Sequence, residues 1–327
     1  MKPSRVAEVL TRLLDTRWPA FLWGAPGVGK SSVVRQVAAA RGLQLVDVRA
    51  PLLDPTDLRG LPYLRDGVAA WAPPSFLPAD RASNGVLFFD ELNAAPPLVQ
   101  ASLYQLTLDR RVGEYELPPG WRIVAAGNRA EDAAVVFRMP SALANRFVHI
   151  DFEVDFSDWA AWALITDIDP RVHAFLALRR DLLIDTRSTD RGFPTPRSWE
   201  IASDAMKMFG APSDALDVLI GIVGEGAAME LVGFCNRTLS AERVDAIIAD
   251  PGRAPLPTDL GDLHALVCYI AARAREDAVA KAAGRLLLRL SPELGVVLAR
   301  QVLHLRPDFT TAVGFSQFIE RHKALLA

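Results

Sequence analysis

A lysine and a hydroxyl residue placed directly after a glycine-rich turn can hold a polyphosphate. The run Leu22-Trp23-Gly24-Ala25-Pro26-Gly27-Val28-Gly29-Lys30-Ser31 supplies both, in the pattern Gly-x4-Gly-Lys-Ser. The glycines let backbone N–H groups turn toward phosphate oxygens, Lys30 brings a point charge to the β- and γ-phosphates, and the Ser31 hydroxyl can ligate Mg2+. The candidate phosphate-binding set is Gly24, Ala25, Pro26, Gly27, Val28, Gly29, Lys30, Ser31 and Ser32.

A second set of groups suits hydrolysis. Val86-Leu87-Phe88-Phe89-Asp90-Glu91 is an apolar run that ends in two acids. An acid at the carboxyl end of a strand can hold Mg2+ and its neighbour can polarise an attacking water, so Asp90 is assigned to the metal with Ser31, and Glu91 to the general base. Trp121-Arg122-Ile123-Val124-Ala125-Ala126-Gly127-Asn128 is another apolar run ending in a polar residue. Asn128 at the end of a neighbouring strand would reach between the metal-bound acid and the γ-phosphate and orient the water.

These groups need a scaffold that gathers strand ends. The first half alternates short apolar runs, Ala20–Trp23, Leu43–Val48, Val86–Phe89, Arg122–Ala126 and Phe147–Phe152, with longer helical patterns. Such alternation predicts an α/β fold, a mostly parallel five-stranded sheet with helices on both faces, and ligands then bind at the carboxyl ends of the strands. From Ser157 onward, apolar residues recur at three- and four-residue spacing, which predicts an all-helical second half. The stretch Asp250–Pro257 reads as a surface linker within it.

Composition narrows the partners. Lys plus Arg number 36 and Asp plus Glu 39, for a formal net charge of −3, and the basic residues are dispersed. That leaves no electrostatic footprint for nucleic acid or an anionic membrane. Cys235 and Cys268 are isolated in apolar helical patterns and read as buried free thiols suited to a reducing cytoplasm, and the histidines lack metal-ligand spacing. The most apolar later stretch, Leu216–Phe234, carries Asp217, Glu225 and Glu230 and is a poor membrane span.

The ordered set GAPGVGKS, LFFDEL, IVAAGN, SALANRF and TPRSW, over about residues 3–240, resembles the AAA+ ATPases and specifically their MoxR-like group. The resemblance implies a P-loop core over residues 1–156 and a helical lid over 157–240; beyond it, the helical pattern of residues 241–327 reads as a C-terminal extension. The resemblance implies that Asn128 is sensor 1, that Arg146 is the arginine finger completing a neighbouring subunit's site, and that Arg197 is the sensor 2 arginine. It also implies homo-oligomeric rings, usually hexamers, ATP with Mg2+ as the substrate complex, a protein client that is remodelled or matured, and a von Willebrand A-domain adaptor. Many such sequences carry an aspartate before the finger arginine; here the residue is Asn145.

Local chemistry bears on two of these assignments. Thr195-Pro196-Arg197 is a strong helix start, with Thr as N-cap and Pro in the first turn, so Arg197 projects from that turn. Arg146 follows a short helix and precedes a strand. Two inserts add detail: Val112–Leu117, Pro118-Pro119-Gly120 and Trp121–Ala126 read as a β-hairpin, and residues 54–77 look like the helix-2 insertion of this clade. Two other readings stay open at this point, a nucleic-acid-processing AAA+ motor and a nucleotide-gated scaffold without catalysis.

Overall fold

Short runs of Val, Phe, Leu and Ala that are apolar on successive residues can satisfy both faces of a strand only inside a covered sheet, and the chain uses them so. The computed structural model describes residues 1–132, 137–186 and 191–326. They fall into two compact units, Met1–Asp155 and Phe156–Ala327.

The first unit opens with α1 (Pro3–Leu13), β1 (Ala20–Trp23), α2 (Lys30–Ala40) and β2 (Gln44–Arg49). An insert follows, with α3 (Pro55–Arg59), β3 (Leu61–Arg65) and β4 (Val68–Ala72), before β5 (Asn84–Asp90) and α4 (Pro97–Asp109). The unit closes with β6 (Arg111–Val112), β7 (Tyr115–Glu116), β8 (Gly120–Gly127), α5 (Ser141–Ala144) and β9 (Val148–Asp151). Five strands form one parallel sheet in the order β2-β5-β8-β1-β9. This is the parallel αβα core that the sequence predicts.

Alternation along each strand divides the core. Phe21, Leu87, Phe89, Ile123 and Ala125 pack on one face with Val99, Leu103 and Leu106 of α4 and Leu143 of α5. Their neighbours Leu22, Val86, Phe88 and Val124 are also buried, and α2 packs against β2, β5 and β8. Truncating a fully buried member such as Phe89 to Ala costs about 3–5 kcal/mol, so both layers hold the strand ends that carry the polar residues.

The hairpin expected from Val112 to Ala126 is different in the structure. A short hairpin forms, but between β6 and β7, folding back at Gly113 with φ 56°. Trp121–Ala126 is no hairpin arm: it lies in β8, paired in parallel with both β5 and β1. An apolar run that is buried on both faces gains more from the sheet centre than from a two-stranded ribbon. A second hairpin, β3 with β4, turns at Asp66-Gly67, both with positive φ, 53° and 75°. Asp-Gly is a strong short hairpin signal, and this hairpin lies within the insertion expected over residues 54–77.

The second unit is helical among its described residues. It contains α6 (Phe156–Ile165), α7 (Pro170–Leu178), α8 (Pro196–Phe209), α9 (Leu216–Val223) and α10 (Glu225–Thr238). It continues with α11 (Ala241–Ala249), α12 (Leu260–Ala272), α13 (Asp277–Leu286), α14 (Pro292–Leu305) and α15 (Val313–Leu326). α12 packs on α7 and α14, and α14 also meets α6, so helices before and after residue 240 share one core. The segment expected as a surface linker is anchored: Pro251 and Ala254 are buried, and the Arg289 guanidinium donates to their carbonyls at 2.7 and 2.8 Å. Cys235 and Cys268 are buried free thiols, and burial pushes them up to about 12 and about 11, which leaves them unreactive. Among the described residues no helix is long and apolar enough to cross a membrane.

Candidate functional site

The site grows from the carboxyl ends of β1, β5 and β8, which the parallel register brings side by side. After Trp23 the chain leaves the sheet, and Gly27 and Gly29 take φ of 75° and 103°, in the left-handed region that favours glycine. Those two reversals wrap residues 24–29 into a loop that ends directly on the first residue of α2, Lys30, with Gly29 as N-cap. A helix start carries N–H groups that its own turns do not use, and one placed directly after a glycine loop is suited to an anion.

Lys30 is buried, 7% exposed, and its ammonium donates to Gly24 O at 2.6 Å, Ala25 O at 2.9 Å and Asn128 Oδ1 at 3.0 Å. The loop and the end of β8 are therefore joined through one cation. Ser31, on the next position of the same helix, donates its hydroxyl to Asp90 Oδ2 at 2.6 Å. Asp90 ends β5 and is 3% exposed; its other oxygen accepts the Glu91 N–H at 3.0 Å.

Glu91 follows in a left-handed backbone conformation, φ 57° and ψ 35°. A non-glycine residue held there costs about 1 kcal/mol or more, and such residues cluster at active sites and ligand clamps. Its carboxylate is about half exposed, in contrast to that of Asp90. The two adjacent acids thus occupy different environments, one enclosed against Ser31 and one open to water.

Two residues at this site escaped the sequence reading. Arg49 ends β2 opposite Asp90 in register, and its guanidinium pairs with Asp90 Oδ2 at 2.8 Å and Glu91 Oε1 at 3.7 Å. Asn93, in the turn Leu92–Ala94, bonds to the backbone of Asn128. Neither carries a spacing signal of its own: the partnership of Arg49 depends on which strand pairs with which, and that of Asn93 on a turn conformation.

The other two assigned arginines are carried by other elements. Arg146 is exposed, in the loop between α5 and β9. Because β9 runs parallel to β1, with Ala20 opposite Val148, Arg146 sits at the end of the sheet away from the loop 24–31 of its own chain. Arg197 belongs to the second unit. α8 starts as its sequence predicts: Thr195 Oγ1 accepts the Ser198 N–H at 3.0 Å, Ser198 Oγ accepts the Thr195 N–H at 2.7 Å, and Pro196 occupies the first turn. Arg197 is exposed on that first turn.

The donors suit a hard cation, since Ser31 and Asp90 offer oxygens within 2.6 Å of one another. Among the described residues no group of three or more His, Cys, Asp or Glu converges as a metal site. A cation held here would draw the rest of its shell from phosphate and water, as Mg2+ does in nucleotide sites.

Residues 19–147 match the family described as AAA domain (dynein-related subfamily). The chain is 31% identical over 176 residues to Protein MoxR of Methylorubrum extorquens, a match covering 52% of this chain and 50% of that protein. It is 30% identical over 170 residues to midasin of Giardia intestinalis, covering 49% of this chain and 4% of midasin. The match thus spans half the length of one relative and a small part of the other. Solved structures that the chain is similar to include NtrX from Brucella abortus in complex with ATP, at 16% identity and a TM-score of 0.43, over 99% of this chain and 68% of that one. Another is a putative ATPase from Cytophaga hutchinsonii, at 18% identity and a TM-score of 0.38, over 91% of this chain and 80% of that one.

Proposed function

We propose that the chain, a MoxR-like AAA+ protein that matches the AAA family over residues 19–147, binds ATP with Mg2+ on the loop 24–32 and hydrolyses it within an oligomeric ring. The observation that carries this reading is one constellation: Ser31 on Asp90 at 2.6 Å and Lys30 on Asn128 at 3.0 Å, with Glu91 beside them at the strand ends. A purely structural glycine turn needs none of these contacts.

In this reading the residues divide the work. The N–H groups of residues 27–32 and the Lys30 ammonium take the β- and γ-phosphates, which means Lys30 exchanges carbonyl acceptors for phosphate oxygens. Ser31 and Asp90 hold Mg2+, which when bound neutralises charge developing on the phosphates. Glu91, with a half-exposed carboxylate, takes the proton of the attacking water, and Asn128, at the end of β8, orients that water. Arg146, exposed and remote from its own loop, acts as the finger on a neighbouring subunit's γ-phosphate. Arg197 takes the separate sensor 2 role at the start of a lid helix; for the lid we keep residues 157–240, with 241–327 as the helical extension.

The energy of binding and hydrolysis drives remodelling or maturation of a protein client in the cytoplasm, in a ring we take to be a hexamer. A von Willebrand A-domain protein acts as adaptor. The test is affinity capture with the Glu91→Gln protein in ATP, which holds nucleotide without turnover, followed by mass spectrometry and ATPase assays with what is recovered. Retention of a von Willebrand A-domain protein that alters turnover supports the adaptor; its absence from an assembled, ATP-loaded ring refutes it.

A further inference from the structure

Asn93 is a polar residue buried to 3% exposure, three positions after Asp90. Its carboxamide closes on a single residue: Nδ2 donates to the Asn128 carbonyl at 2.7 Å, and Oδ1 accepts the Asn128 N–H at 3.2 Å. Its own carbonyl accepts the Phe137 N–H at 2.7 Å. Two bonds from one amide to both polar groups of one residue act as a miniature β-bridge. They fix the Asn128 backbone at the point where it leaves the strand and its ladder ends.

A second observation points the same way. A Cβ on Gly127 would stand 2.3 Å from Asn93 Oδ1 and 2.8 Å from the Phe21 ring, too close to be accommodated without displacing the amide. The glycine before Asn128 is therefore what lets the Asn93 amide reach the backbone. With that backbone fixed, the Asn128 side chain places Oδ1 at 3.0 Å from Lys30 Nζ. Because Asn93 sits in the turn that follows Glu91, one short segment carries both the proposed base and the clamp on the proposed water-orienting residue.

We propose that Asn93 is a positioning residue: it locks the Asn128 backbone so that the Asn128 side chain meets Lys30 and stays in register with Glu91. The assignment rests on the ATPase reading given above for its kinetic consequence, and on geometry alone for its structural one. Asn93 touches neither phosphate nor water in this scheme and acts through Asn128.

The experiment uses the full chain with Asn93→Ala and Asn93→Asp, the latter keeping size and the Oδ1 acceptor while removing the donor to Asn128. Each is made alone and combined with Asn128→Ala. With Mg-ATP as the probe, either Asn93 variant should lower kcat by about tenfold to a hundredfold, the scale of a misplacement near 1 Å, while KM and the calorimetric Kd stay within about threefold. In the Asn128→Ala background the same change should cost no more than about twofold, since both act on one step. A crystal structure of Asn93→Asp without nucleotide should show Asn128 Oδ1 beyond about 3.5 Å from Lys30 Nζ. Losses that multiply in the combined variant, or an unmoved Asn128, overturn the proposal. If the wild-type ring shows no hydrolysis, the ATPase reading falls instead, and the crystallographic distance still decides the role of Asn93. If Asn93→Ala fails to fold, Asn93→Asp carries every comparison.

Discussion

The Arg49 guanidinium bridges the two acids at the end of β5, 2.8 Å from Asp90 Oδ2 and 3.7 Å from Glu91 Oε1. The same Asp90 oxygen accepts the Ser31 hydroxyl, so one enclosed carboxylate is balanced by one cation and one hydroxyl. Arg49→Ala leaves that carboxylate without its charge partner. With the arginine itself 44% exposed, the loss should be about 1–3 kcal/mol in nucleotide-free protein, below the cost for a fully buried pair. Urea unfolding measures it; an unchanged midpoint at unchanged m-value would mean that the pair adds nothing.

Lys30→Ala removes the cation that gathers Gly24 O, Ala25 O and Asn128 Oδ1. Charge-assisted bonds to phosphate contribute about 1.5–3 kcal/mol, so ATP affinity should fall by about tenfold to a hundredfold. Calorimetric titration reads this directly, and wild-type affinity in the variant would remove the loop from the account.

The ring can be tested by mixing. Arg146→Ala subunits should bind ATP yet hydrolyse it about a thousandfold more slowly in a uniform assembly. A Glu91→Gln subunit keeps its arginine and an Arg146→Ala subunit keeps its base, so co-assembled rings should regain turnover at junctions where the two intact groups meet. Absence of recovery in verified mixed rings would place Arg146 outside the neighbouring site.

A pH effect belongs to the second unit. Burial pushes the His173 imidazole from its ordinary value of 6.5 down to about 4, and nearby His264, itself lowered by burial and by Arg180, acts in the same direction. Between those values the unfolded chain binds a proton that the folded chain refuses. Stability is then fully present above pH 6.5, falls as the pH drops toward 4 and levels off below it, by about 3 kcal/mol for His173. Urea unfolding from pH 7 to pH 4 should show a shallower slope for His173→Phe, with a remainder from His264. An identical slope in both proteins would contradict the burial argument.

The sequence located every strand of the sheet to within two residues, because the central runs Ala20–Trp23, Val86–Phe89 and Ile123–Ala126 are apolar on both faces and the partly polar edge runs Leu43–Val48 and Phe147–Phe152 still stand out between helical patterns. It misread the region around Trp121, where a Pro-Pro-Gly turn signal suggested a hairpin and burial instead drew the run to the sheet centre. It identified the glycine loop and the acids because their spacing along the chain is itself the signal. Arg49 and Asn93 were hidden for the opposite reason. Arg49 meets Asp90 only through the pairing of β2 with β5, and Asn93 meets Asn128 only through a turn after a left-handed Glu91. Local pattern carries neither.

The central claim is that the enclosed Asp90 serves metal and phosphate while the open Glu91 serves water. Glu91→Gln tests it most directly, with ATP affinity by calorimetry and phosphate release measured on the same assembled preparation. The account predicts affinity within about threefold of wild type and hydrolysis reduced by at least about a hundredfold. Equal loss of binding and hydrolysis, or turnover at the wild-type rate, would contradict it.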